Sequence, residues 1–253
     1  MSSNLKKSKL TYLSVIIPAY NEENRIEATL RSVNFYLSKQ SYVYEIIVVS
    51  DGSKDRTVEI TSRLSSEIPN LRFIDNKNNQ GKGWAVRCGM LSARGKTRLF
   101  MDADNSTTVD QIEPMFSLLE DGFDLVIGSR RVDGAAIAVH QSVFRERLGQ
   151  IFNLVVRVIT GLGINDTQAG FKAFTSGAAE KIFPLQTIRE WAFDVELLVI
   201  AQKLRFSVKE CPIVWRNDER SHVKLKGMIR MLLDLLKIRL NLWLGVYNRV
   251  AKP

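Results

Sequence analysis

Leu13-Ser14-Val15-Ile16-Ile17-Pro18-Ala19-Tyr20-Asn21-Glu22-Glu23 reads as a short β-branched apolar run closed by proline, with carboxylates opening the segment that follows. A run apolar on both sides of its pleat suits the interior of a sheet covered on both faces; a half-solvated strand would alternate apolar and polar residues. The pattern recurs at Glu45 to Val49, which ends in Ser50-Asp51-Gly52-Ser53, and further strands are expected at Leu71 to Ile74, Arg98 to Met101 and Asp124 to Ile127. Helix-period stretches lie between them, near Glu23 to Leu37, Thr57 to Leu64, Gly83 to Ala93 and Val109 to Glu120. Strands alternating with helices of this length make an α/β fold with a doubly wound, mostly parallel sheet. Such sheets bind ligands beyond the carboxyl ends of their strands, which is where chemistry is sought.

The second half is less regular: a helix around Val143 to Thr160, a Gly-rich turn, a helix near Ala192 to Leu204, a strand near Ser207 to Ile213 and a long apolar-rich helix from Lys226 to Tyr247. At 253 residues, 45% hydrophobic and 25% charged, the composition is that of a folded globular chain and excludes collagen-like and disordered classes. Three stretches are expected: a flexible 1–11, a main domain 12–225 and an amphipathic C-terminal helix in 226–253. Residues 203–253 hold 12 basic side chains against four acidic ones, most of the net charge of +9, so one surface there is expected to face an anion. Cys88 and Cys211 lack paired spacing, which fits a reducing compartment and neither a zinc site nor a disulfide framework. Met1 to Lys9 does not read as a signal peptide, and no apolar stretch is long enough to span a bilayer.

At the strand ends, Tyr20 offers a flat face, Glu22 and Glu23 sit where a helix starts, and Asp51 beside Gly52 places a carboxylate that can accept hydrogen bonds from a ribose or base. Helix capping and an Asx turn are the plainer alternatives. Asn79-Gln80-Gly81-Lys82-Gly83-Trp84 is a glycine-flanked lysine opening a helix, which favours an anion without matching a P-loop. No Gly-x-Gly-x-x-Gly follows the first strand, which weakens a dinucleotide oxidoreductase reading. Asp102-Ala103-Asp104 is the most specific signal. Two carboxylates one residue apart at a strand end point the same way, repel when unpaired, and suit Mg2+ or Mn2+ that also holds a diphosphate.

Val15 to Glu22, Val48 to Ser53, Asn79 to Gly83, Asp102 to Asp104 and Gly128-Ser129-Arg130, in that order, resemble the motifs of inverting family 2 glycosyltransferases with the GT-A fold. Asp166-Thr167-Gln168-Ala169-Gly170-Phe171-Lys172 resembles the polyprenyl-phosphate branch, and Trp191-Ala192-Phe193-Asp194-Val195-Glu196-Leu197-Leu198 looks most like dolichyl-phosphate β-glucosyltransferases. The resemblance implies a Rossmann-like GT-A sheet flanked by helices. It also implies transfer of a hexose, glucose from UDP-glucose or alternatively mannose from GDP-mannose, to a polyprenyl or dolichyl phosphate at the cytoplasmic face of a membrane. It places Pro18, Tyr20, Glu22, Asp51, Lys82, Ala103 and Arg216 around the nucleotide, Asp102 and Asp104 on metal and diphosphate, and Arg130 and Arg145 near the donor and acceptor phosphates. Two departures stand out. Ser50 precedes Asp51 where many relatives carry a second Asp, and Ser221-His222-Val223-Lys224 leaves open whether His222 or Lys224 meets the phosphate.

Asp194 and Glu196, on an expected helix, either hydrogen-bond sugar or acceptor or pair with neighbouring arginines. His140 and His222 have no spacing for catalysis, and Trp84, Trp191, Trp215 and Trp243 read as core or interface rather than sugar platforms. A nucleic-acid-binding module is the alternative that the basic tail alone raises. It lacks aromatic-basic interleaving and gives no reason for Asp102 and Asp104, so no nucleic acid is expected. On a helical wheel of 228–247, Arg230, Asp234, Lys237 and Asn241 form a narrow polar stripe and Met231, Leu232, Leu235, Leu236, Ile238, Leu242 and Trp243 the wide remainder. That pattern fits a helix lying on a membrane surface. Packing on the domain or on a second subunit is the alternative, which Arg239, opposite the stripe, fits better.

Overall fold

The computed structural model describes residues 10–139, 143–216 and 225–248. In chain order the elements begin β1 (Leu13–Ala19), α1 (Ile26–Leu37), β2 (Tyr44–Asp51), α2 (Thr57–Glu67), β3 (Leu71–Asn76), α3 (Lys82–Ser92), β4 (Thr97–Met101), α4 (Glu113–Glu120) and β5 (Leu125–Ser129). They continue with β6 (Ala136–Val139), α5 (Val143–Thr160), β7 (Phe171–Thr175), α6 (Ser176–Ile182), α7 (Phe193–Lys203), β8 (Val208–Pro212), β9 (Val214–Arg216) and α8 (Leu225–Trp243).

Seven strands form one sheet in the order β3-β2-β1-β4-β7-β5-β8, and β6 pairs with β9 apart from it. All neighbours in the large sheet are parallel except β7, which runs against both β4 and β5. The apolar strands bury both faces as their pattern requires. Ile16, Ile47, Val49 and Phe100 point into one layer with Val86 and Met90 of α3, whereas Val15, Ile17, Ile46 and Val48 point into the other with Ile26, Leu30 and Val33 of α1. Full burial of each such side chain is worth about 1.5–3 kcal/mol.

The mostly parallel α/β sheet expected from sequence is present, with two differences. The helix expected over Val109 to Glu120 begins as a 3-10 turn, Val109–Ile112, and becomes α-helical where Pro114 sits at its N-terminal edge, a position that needs no N–H. β7 and α6, like the separate pair β6 and β9, are additions to the sequence reading. Phe171-Lys172-Ala173-Phe174-Thr175 carries a lysine at its second position, and that lysine is fully buried, the reverse of what lysine signals in a sequence.

Candidate active site

The site opens where the sheet order turns, between β1 and β4. Their pairing runs from Leu13–Thr97 to Ile16–Phe100 and stops, so the buried Pro18 lies past the last shared pair, where its missing N–H costs no ladder bond. β1 continues against β2 as far as Ala19–Ser50. Beyond it the two loops are laced together: Asn21 N–H donates to Ser53 Oγ (3.1 Å), Glu22 N–H to Thr57 Oγ1 (2.7 Å) and Glu23 N–H to Asp55 Oδ2 (3.0 Å). Glu22 carries its carboxylate onto Arg25, and Tyr20 is exposed at the rim.

Asp51, buried at the end of β2, turns onto the loop before α3. Its carboxylate accepts the N–H groups of Gln80 (3.0 and 3.1 Å) and Gly81 (2.7 Å), although burial still lifts its pKa above the usual carboxylate value. Gly81 has φ 106, and a Cβ there would lie 2.4 Å from the Arg189 carbonyl oxygen, so only glycine fits. This clamp aims Lys82, the first residue of α3, at the end of β4.

There Lys82 Nζ meets Asp102 Oδ1 at 2.5 Å and lies 5.1 Å from the Trp191 ring centre. Burial works against the Lys82 ammonium, but Asp102, Asp194 and Asp104 outweigh it and hold its pKa above the ordinary lysine value. Asp104 accepts the Ser106 N–H (2.9 Å) and forms no ion pair among the described residues; burial, then the charge of Asp102, pushes its carboxyl up. Gly170 abuts this pair so closely that a Cβ would fall 2.1 Å from Asp102 Oδ2. The Ala103 carbonyl accepts the Thr29 hydroxyl (2.7 Å), tying the Asp102–Asp104 turn to α1.

Two closed ion pairs back the cluster. Arg130, at the end of β5, grips Asp166 through Nε (2.7 Å) and Nη2 (2.8 Å) while its N–H also donates to that carboxylate, and its guanidinium lies 5.2 Å from the Trp215 ring. Burial alone would raise the Asp166 pKa, but Arg130 outweighs it and holds the carboxyl below its usual range. Lys172 Nζ donates to Asp194 Oδ1 and to the Ala169 carbonyl, each at 2.5 Å, both side chains being buried. Burial nonetheless keeps the Asp194 pKa raised against the pull of Lys172 and Lys82.

Glu196 faces elsewhere. It accepts the Thr187 N–H, the Thr187 hydroxyl (2.6 Å), the Ile188 N–H (2.7 Å) and the Tyr247 hydroxyl (2.8 Å), while Asn241 of α8 donates to Thr187 Oγ1 (3.0 Å) and Tyr247 Oη (3.2 Å). Among the described residues neither Asp194 nor Glu196 pairs with an arginine, which corrects that one of the two alternatives: Asp194 is buried against Lys172 and Glu196 against Thr187 and Tyr247. Arg216 is exposed on β9, its N–H donating to the Ser106 carbonyl (2.9 Å), beside the Asp104 turn. The Arg145 side chain and all of His140, His222 and Lys224 lie outside the described residues.

The structure thus brings Lys82, Asp102, Asp104, Arg130 and Trp191 to one crevice; Trp191 is half-buried there and packs against the core. Asp166, Gly170 and Lys172 join them, residues quoted above only for their resemblance. Their one sequence signal was that motif, since no local pattern shows that Asp166 will meet Arg130. Among the described residues no three His, Cys, Asp or Glu side chains group around a metal. Among the described residues, Asp102, Asp104, Asp166 and Asp194 against Lys82, Arg130 and Lys172 leave one negative charge over, with Asp104 in no ion pair. Hard oxygens of this kind suit a divalent cation that completes its shell with phosphate oxygens and water.

The family model for Glycosyl transferase family 2 matches residues 14–183. A dolichyl-phosphate beta-glucosyltransferase of Trichomonas vaginalis is 39% identical over 251 residues, covering 92% of this chain and 75% of that protein. The Homo sapiens dolichyl-phosphate beta-glucosyltransferase is 36% identical over 251 residues, covering 93% and 77%. In fold, the chain is similar to glucosyl-3-phosphoglycerate synthase from Mycobacterium tuberculosis, solved with Mn2+, UDP and glucosyl-3-phosphoglycerate, at TM-score 0.65 and 19% identity over 90% of this chain and 80% of that one. It is also similar to S. aureus TarS 1-349 solved with UDP-GlcNAc, at TM-score 0.58 and 20% identity over 91% and 67%.

Proposed function

The chain belongs to glycosyl transferase family 2, and from that premise we infer that it moves glucose from UDP-glucose to a dolichyl or other polyprenyl phosphate, inverting the anomeric carbon. The observation that carries the reading is identity of 36 to 39% to dolichyl-phosphate beta-glucosyltransferases across nearly the whole chain. The reaction is a direct displacement. An acceptor phosphate oxygen forms the new bond to the anomeric carbon as the bond to the nucleotide diphosphate breaks, so an α-linked donor gives a β-linked product.

A lipid phosphate is already an anionic nucleophile near neutral pH, so the protein's work is to bring two anions together and stabilise the leaving diphosphate. Asp102 and Asp104 are the residues that would hold Mg2+ or Mn2+, which when bound neutralises charge on the departing diphosphate. Lys82 adds a fixed ammonium, held in place by the Asp51 clamp on the loop before it. Arg130, kept extended by Asp166, presents a guanidinium toward the same crevice, the Arg145 cation is assigned to the acceptor side, and Arg216, beside the Asp104 turn, is assigned to the nucleotide. Pro18, Tyr20, Glu22 and Ala103 shape the nucleotide pocket, with the Tyr20 ring as its exposed wall. Because the acceptor is a lipid, the enzyme works at a membrane surface, and we assign it to the cytoplasmic face; among the described residues no helix is long and apolar enough to cross a bilayer.

A donor panel with a polyprenyl phosphate acceptor and a divalent metal tests the reading. Turnover with UDP-glucose is expected; turnover with GDP-mannose alone would move the chain to mannose transfer, and undiminished turnover in EDTA would remove the metal.

A further inference from the structure

Helix α8 has two apolar faces, and the body of the protein covers one. At about 100° per residue, Met231, Leu235, Ile238, Asn241 and Leu242 share an arc; the first four are buried and Leu242 packs on the core. The opposite arc carries Leu232, Leu233, Leu236, Leu240 and Trp243, which are 41, 61, 59, 51 and 88% exposed. Leu244, one residue past the helix, is 68% exposed. Exposed basic residues border this arc on both sides, Arg239 along one edge and Lys237 and Arg230 along the other. The only carboxylate between Arg230 and Leu244 is Asp234, and it falls on the packed side. Arg239, which the wheel alone set against a membrane role, is thus one rim of the outer stripe.

An apolar stripe this continuous on a surface is costly in water unless something covers it. A second copy of the chain is a poor cover, since residues 203–253 carry a net +8 and pairing would bring two such surfaces together. A layer of anionic headgroups over an acyl interior complements both the rim and the stripe. The orientation is fixed relative to the catalytic crevice. Arg230 pairs with Glu190 (3.2 Å), Asn241 bonds Thr187, and the same 187–191 loop holds Gln80 through Arg189 (2.9 Å) and accepts the Trp84 N–H at the Arg189 carbonyl (3.1 Å).

We propose that the outer face of α8 docks on an anionic lipid bilayer, Leu232, Leu233, Leu236, Leu240 and Trp243 entering the acyl boundary while Lys237 and Arg239 meet lipid phosphates. The surface stands on the geometry of α8; its use in presenting a lipid acceptor rests on the proposed function. Flotation of the full chain with vesicles of phosphatidylcholine, with and without phosphatidylserine, tests it. The chain is expected to float with the anionic vesicles, and Leu236→Glu with Leu240→Glu, both at exposed positions, to weaken binding by at least about tenfold. Lys237→Glu with Arg239→Glu is expected to weaken binding roughly tenfold at low salt and less at high salt. Failure of the full chain to float, undiminished flotation of the leucine variant, or a dimer in sedimentation that this variant dissolves would each overturn the proposal. Turnover on a short, water-soluble polyprenyl phosphate separates the two readings. The leucine variant is expected to retain it within about twofold, whereas a full chain that floats but turns over no acceptor overturns the reaction and leaves the docking face standing.

Discussion

Asp102 and Asp104 end a strand, Asp194 and Glu196 begin a helix, and in both pairs a single residue separates the carboxylates. The sequence spacing is the same and the outcome is opposite. Past β4 the backbone is extended into a turn, so both carboxylates reach one crevice and Asp104 feels the charge of Asp102. On α7, two residues make a rotation of about 200°, so Asp194 turns to Lys172 and the crevice while Glu196 turns to Thr187, Tyr247 and α8. One pair is therefore gathered in a single crevice, where the proposed function puts the metal. The other divides its labour, one carboxylate backing the site and one fastening the C-terminal helix to it.

The comparison breaks first at Asp104. Asp104→Asn keeps the shape of the turn and removes the unpaired charge, so kcat should fall by about 10³-fold and metal-dependent UDP binding in calorimetry should vanish, with thermal stability nearly unchanged. Near-normal turnover would mean that the strand pair is structural after all. Next comes Lys172→Met, which leaves Asp194 buried beside no direct cation and should cost about 3–5 kcal/mol in urea unfolding. Adding Asp194→Asn should recover much of that loss, and failure to do so would show that Lys172 serves something other than this pair.

Glu196→Gln sharpens the contrast. It places an amide against donors that now find a carboxylate, and should cost about 1–3 kcal/mol of stability while kcat changes within about threefold. A large kcat loss with unchanged stability would put Glu196 in the reaction.

The smallest effect is in the pH dependence of stability, no more than about 1.4 kcal/mol per pH unit for each proton. Asp166 is held below its ordinary value of 3.8, so the stability it contributes is present above that pH and is lost as the pH falls through its folded pKa. Glu196 is held above its ordinary 4.5, so its protonated form favours the fold and stability declines as the pH rises from 4.5 through the folded value. Urea midpoints measured across this range should therefore flatten on the acid side in Asp166→Asn and on the higher side in Glu196→Gln.

The parallel half of the sheet, the Gly81–Lys82 turn and the Asp102–Asp104 pair were readable because each depends on neighbours in sequence. Apolar runs specify buried strands, glycine permits the tight turn, and repulsion between near carboxylates asks for a cation. β7 escaped for the opposite reason. Lys172 looks like a surface residue until Asp194, 22 positions away, is placed beside it. The same holds for Arg130 with Asp166 and for Thr187 with Asn241, where neither partner's own surroundings in the sequence call for the other.

Helix α8 shows where the boundary falls. Periodicity alone determined that the segment is an amphipathic helix with a basic excess and that it cannot cross a bilayer, because those properties belong to the order of its side chains. Which leucines are core and which face outward was decided only when Met231, Leu235 and Ile238 met the body of the protein. A helical wheel counts apolar residues and not the surfaces that cover them. Burial is a property of two surfaces in contact, and the second surface here comes from segments dozens of residues away.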